Sequence, residues 1–385
     1  MSNEQNKPQH KIKVGVIFGG RSGEHEVSLQ SARSVMGALD ATKYDVVPIG
    51  IDKNGRWLTG DVMQALAEGG QTSQPAAQPA ALLPDPQSAA LMRLEMHNMQ
   101  PTGMAAVSEL DVVIPVLHGP YGEDGTVQGL LELANLPYVG AGVVGSAVGM
   151  DKAIFKHVMA ANGIPVLPWL LFTANGWQKR PSSILDEIEA KLTYPVFTKP
   201  ANLGSSVGIC KCANRTELQA GMAEAAGYDR RIVVEQGINV RELEVSVLGN
   251  EAPIASVVGE IRPRRAFYDY VAKYLAEPGS DEDSELIIPA ELSEAESDAV
   301  RALAVEAYKA IDCAGLGRVD LMMDKETGKL YLNEINTIPG FTRISMYPKL
   351  WEATGISYAA LLDKLIDLAI ERHKEKEQLK KSFDL

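Results

Sequence analysis

GRVDLMMDKETGKLYLNEINTIPGFTRIS, residues 317–345, decides how the chain is read. Two strands are legible in it, Leu316 to Asp324 and Lys329 to Thr337, with Lys325-Glu326-Thr327-Gly328 as turn chemistry between them. Strand side chains alternate, so Arg318, Asp320 and Met322 share one face, and Leu332, Glu334 and Asn336 share one. A hairpin symmetric about Thr327 sets Asp320 opposite Glu334 and Arg318 opposite Asn336. Two carboxylates directly across a sheet repel, and burying them is costly unless a cation sits between them. Their oxygens and an amide oxygen are hard ligands, suited to Mg²⁺, which keeps several waters and takes further ligands from substrate phosphates. An Asp and a Glu on a hairpin are more often a solvated face. Two features oppose that reading. The NEIN run puts an acid and an amide on one face, along which Leu330 and Leu332 are expected to continue. Then Thr337 to Thr342 forms a rigid turn whose backbone N–H groups suit an anion. The hairpin reads as a metal–nucleotide platform with an arginine beside it.

The 385 residues exceed one ordinary core, so two or three domains are expected. A hydrophobic content of 45% and a charged content of 23% are ordinary for a globular protein. The net charge of −13 argues against nucleic acid or an anionic membrane as main partner, while leaving room for a local basic pocket. No run is long enough to span a bilayer, and the N-terminus lacks the apolar core of a signal peptide. Cys210, Cys212 and Cys313 make no disulfide framework and no zinc set; they read as buried free thiols in a reducing cytosol.

Residues 1–11 are polar and predicted to be disordered. Lys13 to Phe18, a Gly-rich loop, a helix from about Glu26 to Leu39 and a strand from Tyr44 to Ile51 form a βαβ unit, and therefore a parallel sheet. The loop only loosely resembles GxGxxG, and no acid is placed to read a ribose, which disfavours a dinucleotide site. Residues 61–107 are Ala/Gln/Pro-rich in part, lack period, and are expected to be a surface insertion within this domain. Asp111 to Leu117 resumes the sheet and ends in HGPYGEDG, a loop at the carboxyl end of a strand, where such sheets bind ligands. A strand at 137–139 closes the domain near Gly140.

A helix follows Met150-Asp151-Lys152 to about Asn162. Ser183 with Asp186 predicts a capping box for the next helix. Tyr194 to Lys199 is a strand running into KPANLGSSVGICKC, whose backbone N–H groups and hydroxyls suit a phosphate-holding flap, although it is not a Walker A loop. Residues 141–238 read as a compact α+β unit. In the last region, basic and aromatic residues 264–274 precede an acidic run and predict a functional loop. The helix Asp298 to Ile311 is expected under the hairpin, and Tyr358 to His373 is a helix with a broad apolar stripe.

Taken together, EHEVSLQSA (24–32), HGPYGEDG (118–125), MDK (150–152), KPANLGSSVG (199–208), FYDYVAKY (267–274), GRVD (317–320) and NEINTIPGFTRIS (333–345) resemble the motifs of D-alanine–D-alanine ligases, in the ATP-grasp superfamily. They occur in order over residues 12–372. The resemblance implies an α/β fold, α+β in the central region, with three-domain ATP-grasp architecture: a parallel-sheet N-terminal domain at 1–140, a central subdomain at 141–238 and a C-terminal catalytic domain at 239–385. It implies that ATP phosphorylates one D-alanine carboxylate and that the amine of a second attacks the acyl phosphate, giving D-alanyl-D-alanine for bacterial peptidoglycan.

Carried over by motif, Asp320, Glu334 and Asn336 would hold two Mg²⁺ ions, with Mn²⁺ a substitute. Arg318, with the backbone N–H of Gly340, would stabilise the transferring phosphoryl and the tetrahedral intermediate. Lys152 and Lys199 would contact ATP phosphates, and Glu235 and Glu242 the nucleoside. Lys273 would reach the γ-phosphate as its loop closes and excludes water. Glu24 would bind the first substrate's ammonium, forming with Ser205 and Tyr274 a hydrogen-bonded group. His118 would sit near the substrates, and Ser345 would bind the second substrate's carboxylate. Relatives that make the D-lactate ester carry a different loop, where a cation can repel an ammonium nucleophile; Ala272-Lys273-Tyr274 favours an amine. A homodimer in the cytoplasm is implied as well. The rival readings are another ATP-grasp carboxylate–amine ligase, such as a biotin-carboxylase-like protein, a catalytically silent nucleotide binder, and a dinucleotide-dependent oxidoreductase. The EHEVS and FYDYVAKY segments speak against the first, and the presence of Arg318 and all the metal-ligand candidates against the second.

Overall fold

The computed structural model describes residues 11–67, 77–98, 100–263 and 284–380. Three sheets follow one another along the chain. The first contains β1 (Ile12–Gly19), β2 (Tyr44–Ile51), β3 (Trp57–Gly60), β4 (Ala77–Leu82), β5 (Ala90–His97), β6 (Gln100–Glu109) and β7 (Val112–Val116). Its order is β6-β5-β4-β3-β2-β1-β7, with β2, β1 and β7 parallel. The near-continuous apolar run of β1 is explained by cover on both faces: Val14, Val16, Ile17 and Phe18 are all fully buried. The helix His25–Ala38 lies between β1 and β2 in sequence, as the βαβ reading required.

The 61–107 segment differs from the expectation. Beyond residues 68–76, which fall outside the described residues, it is largely sheet: β4, β5 and β6 extend β3 as an antiparallel meander. β4 is Ala-rich, and β5 and β6 mix apolar with polar residues and are largely exposed, so the two-residue alternation is faint, and pairing with an existing strand edge supplies the missing stability. The strand expected at 137–139 is a single parallel bridge, Val113 to Tyr138.

The second sheet is antiparallel, in the order β10 (Cys210–Cys212), β9 (Val196–Pro200), β11 (Arg231–Gln236), β8 (Trp169–Thr173). The helix before β9 runs Pro181–Lys191, and no Ser183 capping box forms. Pro181 is pre-set for the first helical turn and starts the helix three residues earlier, while Asp186 pairs with Arg215 at 2.7 Å.

The third sheet is ordered β14 (Ser284–Ile287), β13 (Ile254–Pro263), β12 (Val240–Leu248), β15 (Leu316–Asp324), β16 (Leu330–Asn336), all antiparallel. The helix Glu294–Ala310 packs Val300, Ala304, Ala307 and Tyr308 beneath it, with a Ser293–Glu296 capping box at its start. The last helix, Tyr358–Glu377, is not confined to this sheet, although it packs near Leu248 and Leu316. It returns to the first one, burying Leu361, Leu362, Leu365 and Ile366 in the core shared with β1, β7 and the helix His25–Ala38. Each such side chain contributes about 1.5–3 kcal/mol on burial. Asp363 accepts from Tyr44 Oη at 2.8 Å and Lys43 Nζ at 2.7 Å, and Arg372 donates to the Tyr138 carbonyl at 3.1 Å. The last helix is thereby tied to the first sheet.

Candidate active site

The hairpin β15–β16 has the expected register: Asp320 pairs with Glu334 and Arg318 with Asn336. One detail is corrected. A bulge leaves Asn333 unpaired, because Leu321 pairs with Leu332. Leu330 and Leu332 therefore do not continue the face of Glu334. They turn to the core together with Ile335, and the bulge is what lets a buried Leu332 and a site-facing Glu334 lie two residues apart.

Arg318 holds Asp320 in a two-pronged bond, Nε and a terminal nitrogen each 2.7 Å from a carboxylate oxygen. Its Nε also lies 3.1 Å from Glu244, which β12 sets in register beside Asp320. Asn336 donates to Asp320 at 3.0 Å, and Lys152 Nζ stands 3.8 Å from Glu334. Burial disfavours the charge of Arg318, but Asp320, Glu244 and Glu334 outweigh this and raise its pKa well above the ordinary value. Three carboxylates on adjacent strands thus face two cations, which leaves an excess negative charge. Among the described residues no three His, Cys, Asp or Glu side chains form a ready-made metal cluster. The donor set of Asp320, Glu334 and Asn336 is all hard oxygen, and fits Mg²⁺ completed by water and phosphate. Glu242 alternates with Glu244 on β12 and stands opposite Met322, one step further along the same face.

Lys152 opens the helix Lys152–Ala161. Asp151 caps that helix by accepting from Ala153 N at 3.1 Å and Ile154 N at 3.0 Å, and pairs with Arg231. Lys152 Nζ donates to the Leu203 carbonyl at 2.7 Å, at the base of the β9–β10 loop. Lys199 and Glu235 lie on neighbouring strands and form an ion pair. The second oxygen of Glu235 is bonded by Lys156, which the sequence reading missed. Burial pushes the Glu235 carboxyl up, yet Lys156 and Lys199 together overcome it and hold it at about 2. Burial lowers the Lys156 ammonium in spite of Glu235, because Lys199 adds a like charge nearby. The carboxylate, with a cation on each oxygen, is the better-compensated partner. Gln236, beside it, spends its amide on the 193–195 backbone and on Gly237.

On the other wall, Ser22 Oγ donates to the His118 carbonyl at 2.8 Å and accepts from Glu24 N at 3.2 Å, so the loops after β1 and β7 are tied together. Ser205 Oγ donates to Glu24, joining residues 181 positions apart. Ser205 and Ser206 both have positive φ, 51° and 59°, a sparsely allowed conformation for non-glycine residues that turns the Ser205 hydroxyl to this wall. Gly119 has φ 76°, and a Cβ there would stand 2.7 Å from Glu24 Oε2, so only glycine leaves that carboxylate in place. Gly119 N donates at 2.6 Å to Glu123, whose carboxyl is raised well above the usual range by desolvation and by Glu24.

His118 is buried. Its Nδ1 lies 3.1 Å from the Ile338 carbonyl and its Nε2 3.2 Å from Ser31 Oγ. Burial pulls the imidazole below its ordinary pKa against the opposing pull of Glu24. A carbonyl only accepts, so Nδ1 carries the proton and neutral Nε2 accepts from Ser31. Ser345 sits at the N-cap position of the helix Met346–Ala353 without a side-chain capping bond; its hydroxyl lies 3.1 Å from Thr342 N and 2.8 Å from Thr342 Oγ1, and a Cβ on Gly340 would sit 3.2 Å from it. Tyr274 and Lys273 lie outside the described residues.

The geometry therefore gathers Glu24, Ser205 and the His118 loop on one side, and Arg318, Asp320, Glu334 and Asn336 with Lys152 on another. Lys199 and Glu235 flank Lys156. Two residues escaped the sequence reading. Lys156 follows Lys152 by one helical turn, and Glu244 follows Glu242 by one strand alternation, so simple periodicity could have found both.

Comparison with known proteins identifies the family. The family model described as D-ala D-ala ligase N-terminus matches residues 13–141, and that described as D-ala D-ala ligase C-terminus matches 158–367. The chain is similar to the D-alanine–D-alanine ligase of Heliobacterium modesticaldum, 51% identical over 369 residues, covering 96% of this chain and 97% of that one. It is also similar to that of Geobacillus thermodenitrificans, 45% identical over 97% of this chain and all of that one. Among solved structures, the D-alanine–D-alanine ligase of Coxiella burnetii superposes with a TM-score of 0.78 at 38% identity, covering 96% of each chain. The VanG D-Ala:D-Ser ligase of Enterococcus faecalis gives 0.81 at 35% identity, covering 94% of this chain and 100% of that one. The sheets described above are those of an ATP-grasp ligase, and the chain belongs to the D-alanine–D-alanine ligase family.

Proposed function

We propose that this protein joins two D-alanines into D-alanyl-D-alanine, a building block of bacterial peptidoglycan, consuming ATP and releasing ADP and phosphate. The observation that carries the reading is the acidic face of β12, β15 and β16, with Arg318 set into it and Lys152 beside Glu334. Such a face is built to manage phosphoryl charge.

A carboxylate oxygen of the first D-alanine forms a bond to the γ-phosphorus as the bond to ADP breaks. The amine of the second D-alanine then attacks the carbonyl carbon, and phosphate departs from the tetrahedral intermediate. Glu24, held by Ser205, binds the first ammonium. Arg318 and Gly340 N–H stabilise the developing charge, and Ser345 receives the second carboxylate. Neutral His118 orients the loop of Ile338 towards the substrates. Lys152 and Lys199 hold nucleotide phosphates, and Glu235 and Glu242 the nucleoside. Lys273 and Tyr274 lie outside the described residues; their motif assigns Lys273 to the γ-phosphate and Tyr274 to the group with Glu24 and Ser205. Asp320, Glu334 and Asn336 hold two Mg²⁺ ions, or Mn²⁺ in their stead, which when bound neutralise charge on the phosphates. The domains are read as 1–140, 141–238 and 239–385, with the last helix also packing against the first sheet. A cytoplasmic homodimer fits this role; among the described residues no helix is long and apolar enough to cross a membrane.

The test is phosphate release from Mg·ATP with D-alanine alone, then with D-lactate or D-serine added at neutral pH, products identified by mass. D-alanyl-D-alanine as the main product is expected. The likeness to a D-Ala:D-Ser ligase makes D-serine the competing nucleophile to include. A depsipeptide or a serine-ended product in the mixed reactions would keep the chemistry and overturn the specificity. No D-alanine-dependent phosphate would overturn the function.

A further inference from the structure

Lys156 is among the most completely buried large side chains in the protein, and none of the roles above uses it. It projects from the helix Lys152–Ala161 one turn after Lys152, and bonds one oxygen of Glu235 while Lys199 bonds the other. A buried ammonium is an expensive way to fill space; a methionine would fill the same volume without desolvation cost. What the second cation changes is the charge of the group. With Lys199 alone, Glu235 would cancel it. With both lysines, one net positive charge remains. The side chain of Lys199 is 10% exposed and that of Lys156 only 2%, so that charge reaches a ligand through Lys199.

We infer that Lys156 is a positioning residue: it satisfies Glu235 permanently, so that the charge of Lys199 stays available to the phosphates of a bound nucleotide. The inference rests on the nucleotide reading above. It separates two parts of one ligand. The adenosine portion meets Glu235 as a hydrogen-bonding group, whereas the phosphates meet the summed charge of Lys156, Lys199 and Glu235. Losing one unit of that charge at a few ångströms in a partly desolvated site weakens phosphate binding by about tenfold or more.

The experiment compares the affinities of full-length protein for ADP and for adenosine, by calorimetry or competition, and follows their ratio. Lys156→Met is expected to lower the ratio about tenfold or more, and Lys156→Arg to retain it. The double variant Lys156→Met/Glu235→Gln removes one charge of each sign, and is expected to restore the ratio even where adenosine itself binds more weakly. Glu235→Gln alone leaves two uncancelled cations and is expected to raise the ratio. Should Lys156→Met fail to fold, the ratios of Glu235→Gln and of the double variant decide the matter by the same arithmetic. A purely structural lysine would weaken both ligands together, so an unchanged ratio in Lys156→Met, or no rise in Glu235→Gln, overturns the inference. Wild-type protein that binds neither ligand overturns the nucleotide reading, and the inference with it.

Discussion

Replacing Asp320 by asparagine separates the chemistry of the hairpin from its folding. In the wild type, Asp320 accepts two bonds of 2.7 Å from Arg318 and one of 3.0 Å from Asn336. The amide keeps one acceptor oxygen, and Arg318 keeps Glu244 at 3.1 Å, so its charge is not left bare. The structural loss is that of one charge-assisted hydrogen bond, about 1.5–3 kcal/mol, which lowers the melting midpoint by about 2–4 °C. The functional loss is larger. The face carries Glu244, Asp320 and Glu334 against Arg318 and Lys152, an excess of one negative charge that the substitution abolishes. Mg²⁺ loses a charged ligand, and the half-saturating Mg²⁺ concentration rises by about tenfold or more, with turnover down by about a thousandfold. The assay is D-alanine-dependent phosphate release over a Mg²⁺ titration, beside a thermal melt of the same preparation. Wild-type turnover at an unchanged Mg²⁺ midpoint refutes the metal-platform argument. A melt lowered by about 10 °C or more refutes the claim that Glu244 holds Arg318.

Ser205→Ala removes the hydroxyl that donates to Glu24, and is expected to cost about 10- to 100-fold in kcat/KM for D-alanine, whereas Ser206→Ala stays within a few-fold; equal effects would contradict the pairing. Gly119→Ala drives a Cβ to 2.7 Å from Glu24 Oε2 at a left-handed φ, and is expected to raise KM for D-alanine while sparing nucleotide affinity, measured by binding of ADP. Glu235 is held at about 2 against an ordinary value of 4.5, so its contribution is complete above the ordinary value and is lost as pH falls from about 4.5 towards 2. Wild-type stability in denaturant should therefore fall more steeply across that interval than that of Glu235→Gln, and parallel curves would contradict the assignment.

The β15–β16 hairpin was legible because its information is local. Alternation and one turn fix which residues of β15 face the site, and symmetry about the turn pairs Asp320 with Glu334 without reference to the rest of the chain. The bulge at Asn333 was not legible. An extra residue leaves the composition of the strand unchanged, and only the core beneath, which claims both Leu332 and Ile335, selects it. The β4–β6 meander hid for the opposite reason: its mixed, largely exposed residues gave no clear periodic signal, while the open edge of β3 gave their backbone a partner.

Local pattern along the chain specifies the parallel unit at the N-terminus, the antiparallel hairpin with its carboxylates and arginine, and, through the order of its motifs, the family. Tertiary structure decided which distant groups meet. Ser205 reaches Glu24 only because the β9–β10 loop crosses to the first sheet, Lys156 is an internal counter-ion only because its helix lies over the face that carries Glu235, and the last helix closes on the first sheet as well as on its own. Periodicity states which face of an element is apolar; what that face is pressed against follows from the packing of the whole chain.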